Sequence, residues 1–404
     1  MKGERKTAPV IRFKGFSDAW EQRKLGYIAD VTKLAGFEFT KYIIYQETGK
    51  IIALRGLNVK NGNLVLDDIK YIDESDFSKL KRSKLYKNDI LFTYVGTVGE
   101  LAIVPEDDRY YLAPNVARIR LNSDSSPIFV SQMMNGSTFY KRIIFPLIAT
   151  SSQPALSMEN VRKFDLMIPT EPEQQKIGAF FKQLDNTIAL HQRKLDALKL
   201  LKKGFLQQMF SESGGKAPRL RFADFEEKYK QCKFIDIVTR INKSSNSIEL
   251  PKVEFEDIHA GEGRLLNNVA NKFDNRKGIE FKPNDILYGK LRPYLKNWLM
   301  PNFCGVALGD FWVFRAKNCD PKFIYSFIQS TLYQKAANDT KGTKMPRSDW
   351  EKVSNTKFLI PKDIVEQSKI GGFFKQLDNI ILLRQKNLEK IISSKKAYLQ
   401  KMFM

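Results

Sequence analysis

Two histidines and three cysteines are all that this chain of 404 residues carries, and that scarcity removes whole chemistries. His191 and His259 lie far apart, so no zinc cluster and no histidine-based catalytic centre suggests itself. Cys232, Cys304 and Cys319 are too few and wrongly spaced for a disulfide framework or a Cys-x-x-Cys zinc site. No apolar run is long enough to span a bilayer, and the opening MKGERKTAPVIRF lacks the apolar core of a signal peptide. No glycine-rich turn opens a helix after a strand, and Gln46–Lys50 (QETGK) has the wrong spacing for a Walker A loop. An Asn-Pro-Pro-aromatic element for holding a flipped base is missing, as is a methyl-donor glycine motif. The acidic run Glu106-Asp107-Asp108 lacks the lysine-bearing strand of a nuclease site. The expectation is a soluble, basic protein of a reducing compartment that reads rather than catalyses.

Acid is also in short supply. Lys and Arg number 67 against 45 Asp and Glu, a formal charge of +22. A balance of that sign points to a polyanionic partner, nucleic acid first and an anionic membrane surface second. Taken singly, most lysines are solvated faces. At 43% hydrophobic and 12% aromatic residues there is material for more than one globular core.

What the chain has in abundance is itself. The stretch 176–210, KIGAFFKQLDNTIALHQRKLDALKLLKKGFLQQMF, returns at 369–403 as KIGGFFKQLDNIILLRQKNLEKIISSKKAYLQKMF, with over half the positions identical and no gap. Both copies read as one long helix. Apolar residues fall at Ile177, Phe181, Leu184, Ile188, Leu195, Leu198, Phe205 and Met209. The second copy has Ile370, Phe374, Leu377, Ile381, Leu388, Ile391, Tyr398 and Met402 in the same register. Steps of three and four sustained this long mark a helix-pairing seam of coiled-coil type. Thr170 with Glu173, and Asp363 with Glu366, have capping-box spacing, and Gly214-Gly215 follow the first copy as a stop. Two seam positions are polar in both copies, His191 against Arg384 and Lys202 against Lys395. They either snorkel to water or fix register. At ~1.5 Å per residue, a helix of about 40 residues makes a rod of roughly 60 Å.

A second repeat mark precedes each globular stretch: APVIRF with Phe16 early on, APRLRF with Phe225 later. The middles themselves, roughly 20–168 and 229–360, hardly match in sequence, yet both read as α+β on one skeleton. Asn88-Asp89-Ile90-Leu91 is echoed by Asn284-Asp285-Ile286-Leu287. Strands are expected at 89–93, 100–104, 115–121, 164–168 and 311–315, a broken helix over 127–144 and a helix over 321–337.

Candidate nucleic-acid contacts concentrate in loops. In the second middle they are Lys290, Arg292, Lys296 and Asn297 in KLRPYLKNW, and Lys341, Thr343, Lys344 and Arg347 in KGTKMPR. Arg and Lys neutralise phosphates and fork onto guanine, and Asn and Gln pair with adenine. Tyr294 and Trp298 read as core. In the first middle the weaker counterparts are Arg55, Asn58, Tyr94, Thr97, Ser151, Ser152 and Gln153; as a bland alternative, the glycines only shape a hairpin and Ser-Ser-Gln is a solvated loop. A self-contained methyltransferase or nuclease finds no motif here. A coiled-coil scaffold for general RNA contact remains the other alternative, to be told apart by comparing duplex DNA with structured RNA.

With these residues in view, the chain closely resembles the specificity (S) subunits of type I restriction–modification enzymes. The resemblance rests on Pro-x-[Ile/Leu]-Arg-Phe before each module, NDILFTYVGTVGE, SSQPALS, GTKMPRSDW, and Glu-Gln ahead of Lys-Ile-Gly at each helix start (Glu173-Gln174, Glu366-Gln367). It implies an α+β architecture of two target recognition domains joined by two long helices pairing as an antiparallel coiled coil, with pseudo-two-fold symmetry. The domains would be 1–168 and 214–360, the spacer helices 169–213 and 361–404. The resemblance also implies a bacterial cytoplasmic, non-catalytic subunit that reads a bipartite, asymmetric site on double-stranded DNA. Its helices would dock two methyltransferase (M) subunits, to which restriction (R) subunits attach. Methyl donor, ATP and magnesium would then belong to those partners, with no cofactor or metal in this chain.

Overall fold

A computed structural model describes residues 9–34, 36–149, 153–210, 218–266, 269, 275–340 and 344–403. The chain forms two compact units, Met1–Leu190 with Leu388–Met404, and His191–Asn387. Both divisions fall inside a long helix rather than between a globular stretch and its helix.

In the first unit the β-branched and aromatic runs pair as expected. Val116–Leu121 is central to a four-stranded antiparallel sheet, with Ala29–Lys33 on one side, Ile90–Thr93 on the other and Leu101–Ile103 at the far edge. Ile119 lies opposite both Val31 and Ile90, which fixes one face as core. A second sheet sets Ile52–Leu54 between Lys70–Tyr71 and a parallel neighbour, Tyr110–Leu112. Phe92, Ile119 and Phe164 bury together with Phe129 of the helix Pro127–Met134. Asp89 of the Asn-Asp-Ile-Leu motif is buried under a two-pronged contact, Arg120 Nε and Nη2 each donating at 2.7 Å.

The second unit repeats this plan. Phe311–Ala316 is central, flanked by Val238–Ile241 and Ile286–Gly289, with Trp298–Leu299 at the edge. Arg315 holds buried Asp285 in the same fork, at 2.8 and 2.7 Å. The middles whose sequences scarcely match therefore share the strand order of this sheet, while the second sheet differs, three-stranded in the first unit and four-stranded in the second. The helix expected over 321–337 is interrupted: it runs Pro321–Phe327 and then Thr331–Ala337, because Ser330 caps the second piece.

The long helices run Glu171–Gln208 and Ile364–Met402. In each unit the start of one lies antiparallel against the end of the other. Phe181 stacks on Phe403 in the first (5.7 Å, 26°) and Phe374 on Phe210 in the second (5.8 Å, 22°). Ile177, Phe181, Leu195, Ile370, Phe374, Leu377, Ile381 and Leu388 are buried, and Leu184, Ile188, Leu198 and Ile391 half-buried. Of the polar seam residues, the lysines fix register. Lys395 Nζ meets Asp185 at 2.5 Å and Lys202 Nζ meets Asp378 at 2.6 Å, the same pair in both units. His191 and Arg384 are half-buried, and His191 Nδ1 has no partner.

The capping-box reading of the helix starts needs correction at its glutamates, although Asp363 does cap, its Oδ1 accepting from Val365 N at 2.7 Å. Glu173 is fully buried and both its oxygens accept from Arg12, Nε and Nη2 at 2.7 Å each. Glu366 accepts likewise from Arg221 at 2.7 and 2.8 Å. The two repeat marks, Arg-Phe and Glu-Gln, are thus halves of one clamp. The glutamines complete it: Gln174 accepts from Ser126 N and donates to Pro169 O, and Gln367 accepts from Asp320 N and donates to Pro361 O. Gly214 and Gly215 lie outside the described residues.

Candidate nucleic-acid interface

In the first unit the hairpin between Ile90–Thr93 and Leu101–Ile103 turns on Gly96 (φ +77°) and Gly99 (φ +100°), left-handed positions that glycine holds without strain. Thr93 Oγ1 ties the turn by donating to Thr97 O at 2.5 Å and accepting from Glu100 N at 2.9 Å. A backbone staple then attaches the loop before the long helix. Gly96 N donates to Pro154 O at 2.9 Å, Leu156 N donates to Tyr94 O at 2.8 Å, and Val95 bridges Ala155. This brings Tyr94, Thr97 and Gln153 into one place. Thr97 and Gln153 are exposed. Tyr94 is half-buried, with Lys33 Nζ 5.2 Å from its ring, and burial raises its phenol above the ordinary value. Ser151 and Ser152 lie outside the described residues.

The second unit repeats the staple atom for atom. Arg292 N donates to Pro346 O at 2.7 Å, Ser348 N donates to Lys290 O at 2.8 Å, and Leu291 bridges Arg347. The two basic loops singled out in the sequence are therefore one surface. Its turn, however, is made by Arg292 (φ +49°) and Lys296 (φ +60°), around a short 3-10 turn at Pro293–Leu295. Each such residue costs roughly 1 kcal/mol relative to ordinary backbone. Arg347 Nη2 (2.9 Å) and Lys290 Nζ (3.7 Å) share Asp310. Lys296 and Lys344 are exposed, Arg292 is half-buried with Nε lacking an acceptor, and Asn297 is buried. Tyr294 departs from its expected core place: it is 55% exposed at the tip, whereas Trp298 is core at 4%. Lys341 and Thr343 lie outside the described residues.

Arg55 and Asn58 sit at the foot of the first hairpin, where an added Cβ on Gly56 would meet Asn115 and Thr93 at 3.7 and 4.0 Å. They build scaffold. Asn58 is fully buried, donating to Val65 O and Asp68 O and accepting from Arg55 N, so its amide is not displayed. Arg55 Nη2 is tied to Asp68 at 2.8 Å. Glu254 and Asp257 make the same turn in the second unit with acidic side chains.

The sequence reading missed Tyr140 and Phe145. The helix expected to be merely broken over 127–144 ends in a π-helical turn, Tyr140–Ile144, and a 3-10 turn, Phe145–Leu147. Phe145 is left 63% exposed, and Tyr140 packs so close to Gly99 that a Cβ there would lie 2.9 Å from its ring. Only the run of apolar and basic residues in FYKRIIFPL hinted at this. Among the described residues no group of His, Cys, Asp or Glu could hold a metal ion, and no helix is long and apolar enough to cross a membrane.

Fold and site define a class: paired α+β modules on long helices, each presenting a stapled pair of loops and, in the second module, a cation-rich pair. The model for the type I restriction modification DNA specificity domain matches residues 17–200 and 266–392, and the chain belongs to that family. It is 29% identical over 134 residues to the type I restriction enzyme EcoBI specificity subunit of Escherichia coli, covering 32% of this chain and 28% of that one. It is 20% identical to the MjaX protein of Methanocaldococcus jannaschii, described as a putative type I restriction enzyme specificity subunit, over 93% of this chain and 91% of that one. The fold matches the S subunit of a type I restriction–modification system from M. genitalium, with a TM-score of 0.62 at 13% identity, over 98% and 99% of the two chains.

Proposed function

We propose that this chain is the non-catalytic recognition subunit of a type I restriction–modification complex. Each module, residues 1–168 and 214–360, reads one half of a bipartite, asymmetric site on double-stranded DNA. The helices, taken as 169–213 and 361–404, set the separation and dock M subunits, which carry R subunits. Methyl donor, ATP and magnesium are then supplied by those partners, in the bacterial cytoplasm.

The observation that carries this reading is the shared staple with unlike side chains. Two modules offer the same pair of loops on the same backbone hydrogen bonds, one with Tyr94, Thr97 and Gln153, the other with Lys290, Arg292, Lys296, Lys344 and Arg347. Identical scaffolds with different displays suit two different short sequences, because base-edge contacts specify sequence while phosphate contacts set position. The seam leucines and isoleucines are consumed by packing within the chain. A docked subunit would therefore meet the outward Leu200, Leu201, Ile380 and Leu383, which are 47–70% exposed.

The test is to map methylated motifs genome-wide in cells carrying the M subunit, with and without this chain. A single split motif that depends on the chain is expected. Replacing residues ~20–160 by the corresponding part of another family member is expected to change one half of that motif only. A motif that changes in both halves, or no chain-dependent motif at all, would overturn the proposal.

A further inference from the structure

The hairpins of the two units differ in one respect that packing does not explain. Among the described residues, every non-glycine residue with positive φ other than Arg292 and Lys296 is Asn or Asp: Asn61, Asn88, Asp108, Asn115, Asn284 and Asn318. Those two residue types tolerate left-handed backbone. Arg and Lys have no such affinity for it, yet they occupy it twice within one turn. The corresponding turn of the first unit places Gly96 and Gly99 there, on the same hydrogen-bonded staple. Glycine is therefore compatible with this backbone, and the second unit does without it at both positions.

The surroundings do not call for these side chains either. Asp310, the carboxylate nearest the turn, is shared by Lys290 and Arg347. No ion pair with Arg292, Lys296 or Lys344 occurs among the described residues, and Arg292 Nε finds no acceptor. Among the described residues the backbone is held by main-chain bonds alone, Arg292 N donating to Pro346 O and Lys296 O accepting from Gly261 N, bonds that glycine would make equally well. Cationic side chains kept in strained backbone that does not need them are a sign of use.

We infer that the Lys290–Asn297 hairpin is a phosphate-gripping loop of the second unit, in which Arg292 and Lys296 are retained in left-handed backbone for their cations. The ligand class is the phosphate backbone of duplex DNA, and the inference rests on the proposed DNA-reading function. The first unit's glycine turn carries no such grip, so the phosphate-borne share of the second half-site's binding is the larger one.

The experiment uses the full chain and a mixed-sequence DNA duplex, measuring affinity against salt concentration together with thermal unfolding. For the double variant Arg292→Gly with Lys296→Gly we expect a Tm equal to or above that of the wild type, because strain is relieved. Affinity falls, and the log–log salt slope drops by about 0.9 for each phosphate no longer neutralised, about 1.8 in all. The double variant Arg292→Gln with Lys296→Gln keeps the strained backbone and removes only charge, so its slope drops by the same amount. A wild-type salt slope in either variant overturns the inference, as does a lower Tm in the glycine variant, which would mean that the side chains serve packing. A wild-type chain with no salt-dependent duplex binding would sink the DNA-reading function and the loop together. Wild-type binding with unchanged variants would sink the loop alone.

Discussion

The two units agree where side chains are buried and differ where they are displayed. Arg12 on Glu173 matches Arg221 on Glu366, Arg120 on Asp89 matches Arg315 on Asp285, and Lys395 on Asp185 matches Lys202 on Asp378. Each has at least one buried or half-buried partner, and a charge that has left water is costly to strand by a substitution on the other side alone. The hairpin tips have no such constraint and share almost no residue. The skeleton is thus carried by a few ionic clamps and aromatic stacks, which leaves the loops free to diverge.

The clamp at the helix start is where the largest effect is expected. Arg12→Ala strands the Glu173 carboxylate, which is fully buried with no other side-chain donor among the described residues. A cost of about 3–5 kcal/mol follows, read from thermal or urea unfolding. In the second unit Tyr229 Oη also donates to Glu366, at 3.1 Å. That remaining hydrogen bond makes Arg221→Ala the milder change by roughly 1–2 kcal/mol. Equal destabilisation by the two variants would refute the difference drawn between the clamps.

A medium effect separates two glycines in the same place on the repeated helix. A Cβ on Gly371 would lie 2.4 Å from Phe323 N, backbone that cannot step aside, whereas one on Gly178 would meet Ile128 and Phe129 at an ordinary 3.4 Å. Gly371→Ala is expected to cost about 1–3 kcal/mol as overpacking. Gly178→Ala is expected to be neutral or to gain up to about 1 kcal/mol from helix propensity. Melting curves of the two single variants decide it, and a larger destabilisation at Gly178 would invert the ranking.

Much of this skeleton was legible because it repeats. The heptad seam, the polar Lys202 and Lys395, and the paired Asn-Asp-Ile-Leu motifs all proclaim themselves by recurring, and periodicity is a local signal. Less legible were features set by contacts distant in sequence. Glu173 looked like a capping residue because its spacing to Thr170 was right, and nothing local announces Arg12. Tyr294 looked like core beside Trp298, but a left-handed turn at Lys296, between them, sends the two apart, and backbone handedness at a lysine is invisible in composition. Asn58 looked like a base reader for the opposite reason: its polar groups are used by its own turn.

The smallest expected effect tests a clasp that, among the described residues, belongs to the second unit. Glu262, in the turn between Ile258–His259 and Arg264–Leu265, accepts from Lys199 Nζ at 3.0 Å and from Gln385 Nε2 at 3.0 Å, one from each long helix, and from Arg264 Nε at 2.7 Å. Burial alone would raise its carboxyl. The hydrogen bonds from Arg264, Lys199 and Gln385 outweigh burial and hold it down at about 2, from an ordinary 4.5. A carboxyl depressed in the folded state adds stability that is fully present above about pH 4.5 and is lost as pH falls toward about 2. Solvent screening leaves that contribution on the order of 1 kcal/mol. Other carboxylates titrate in the same window, so the measurement is a difference: wild type and Glu262→Gln unfolded by urea at about pH 5 and about pH 3. The gap between the two proteins is expected to narrow at the lower pH. The matching turn of the first unit, Asn61-Gly62, has no acidic residue of its own; its Asn61 N donates to Glu100 instead. A gap that stays constant between the two pH values would mean that Glu262 is only a surface contact and that the clasp contributes nothing to holding the helices.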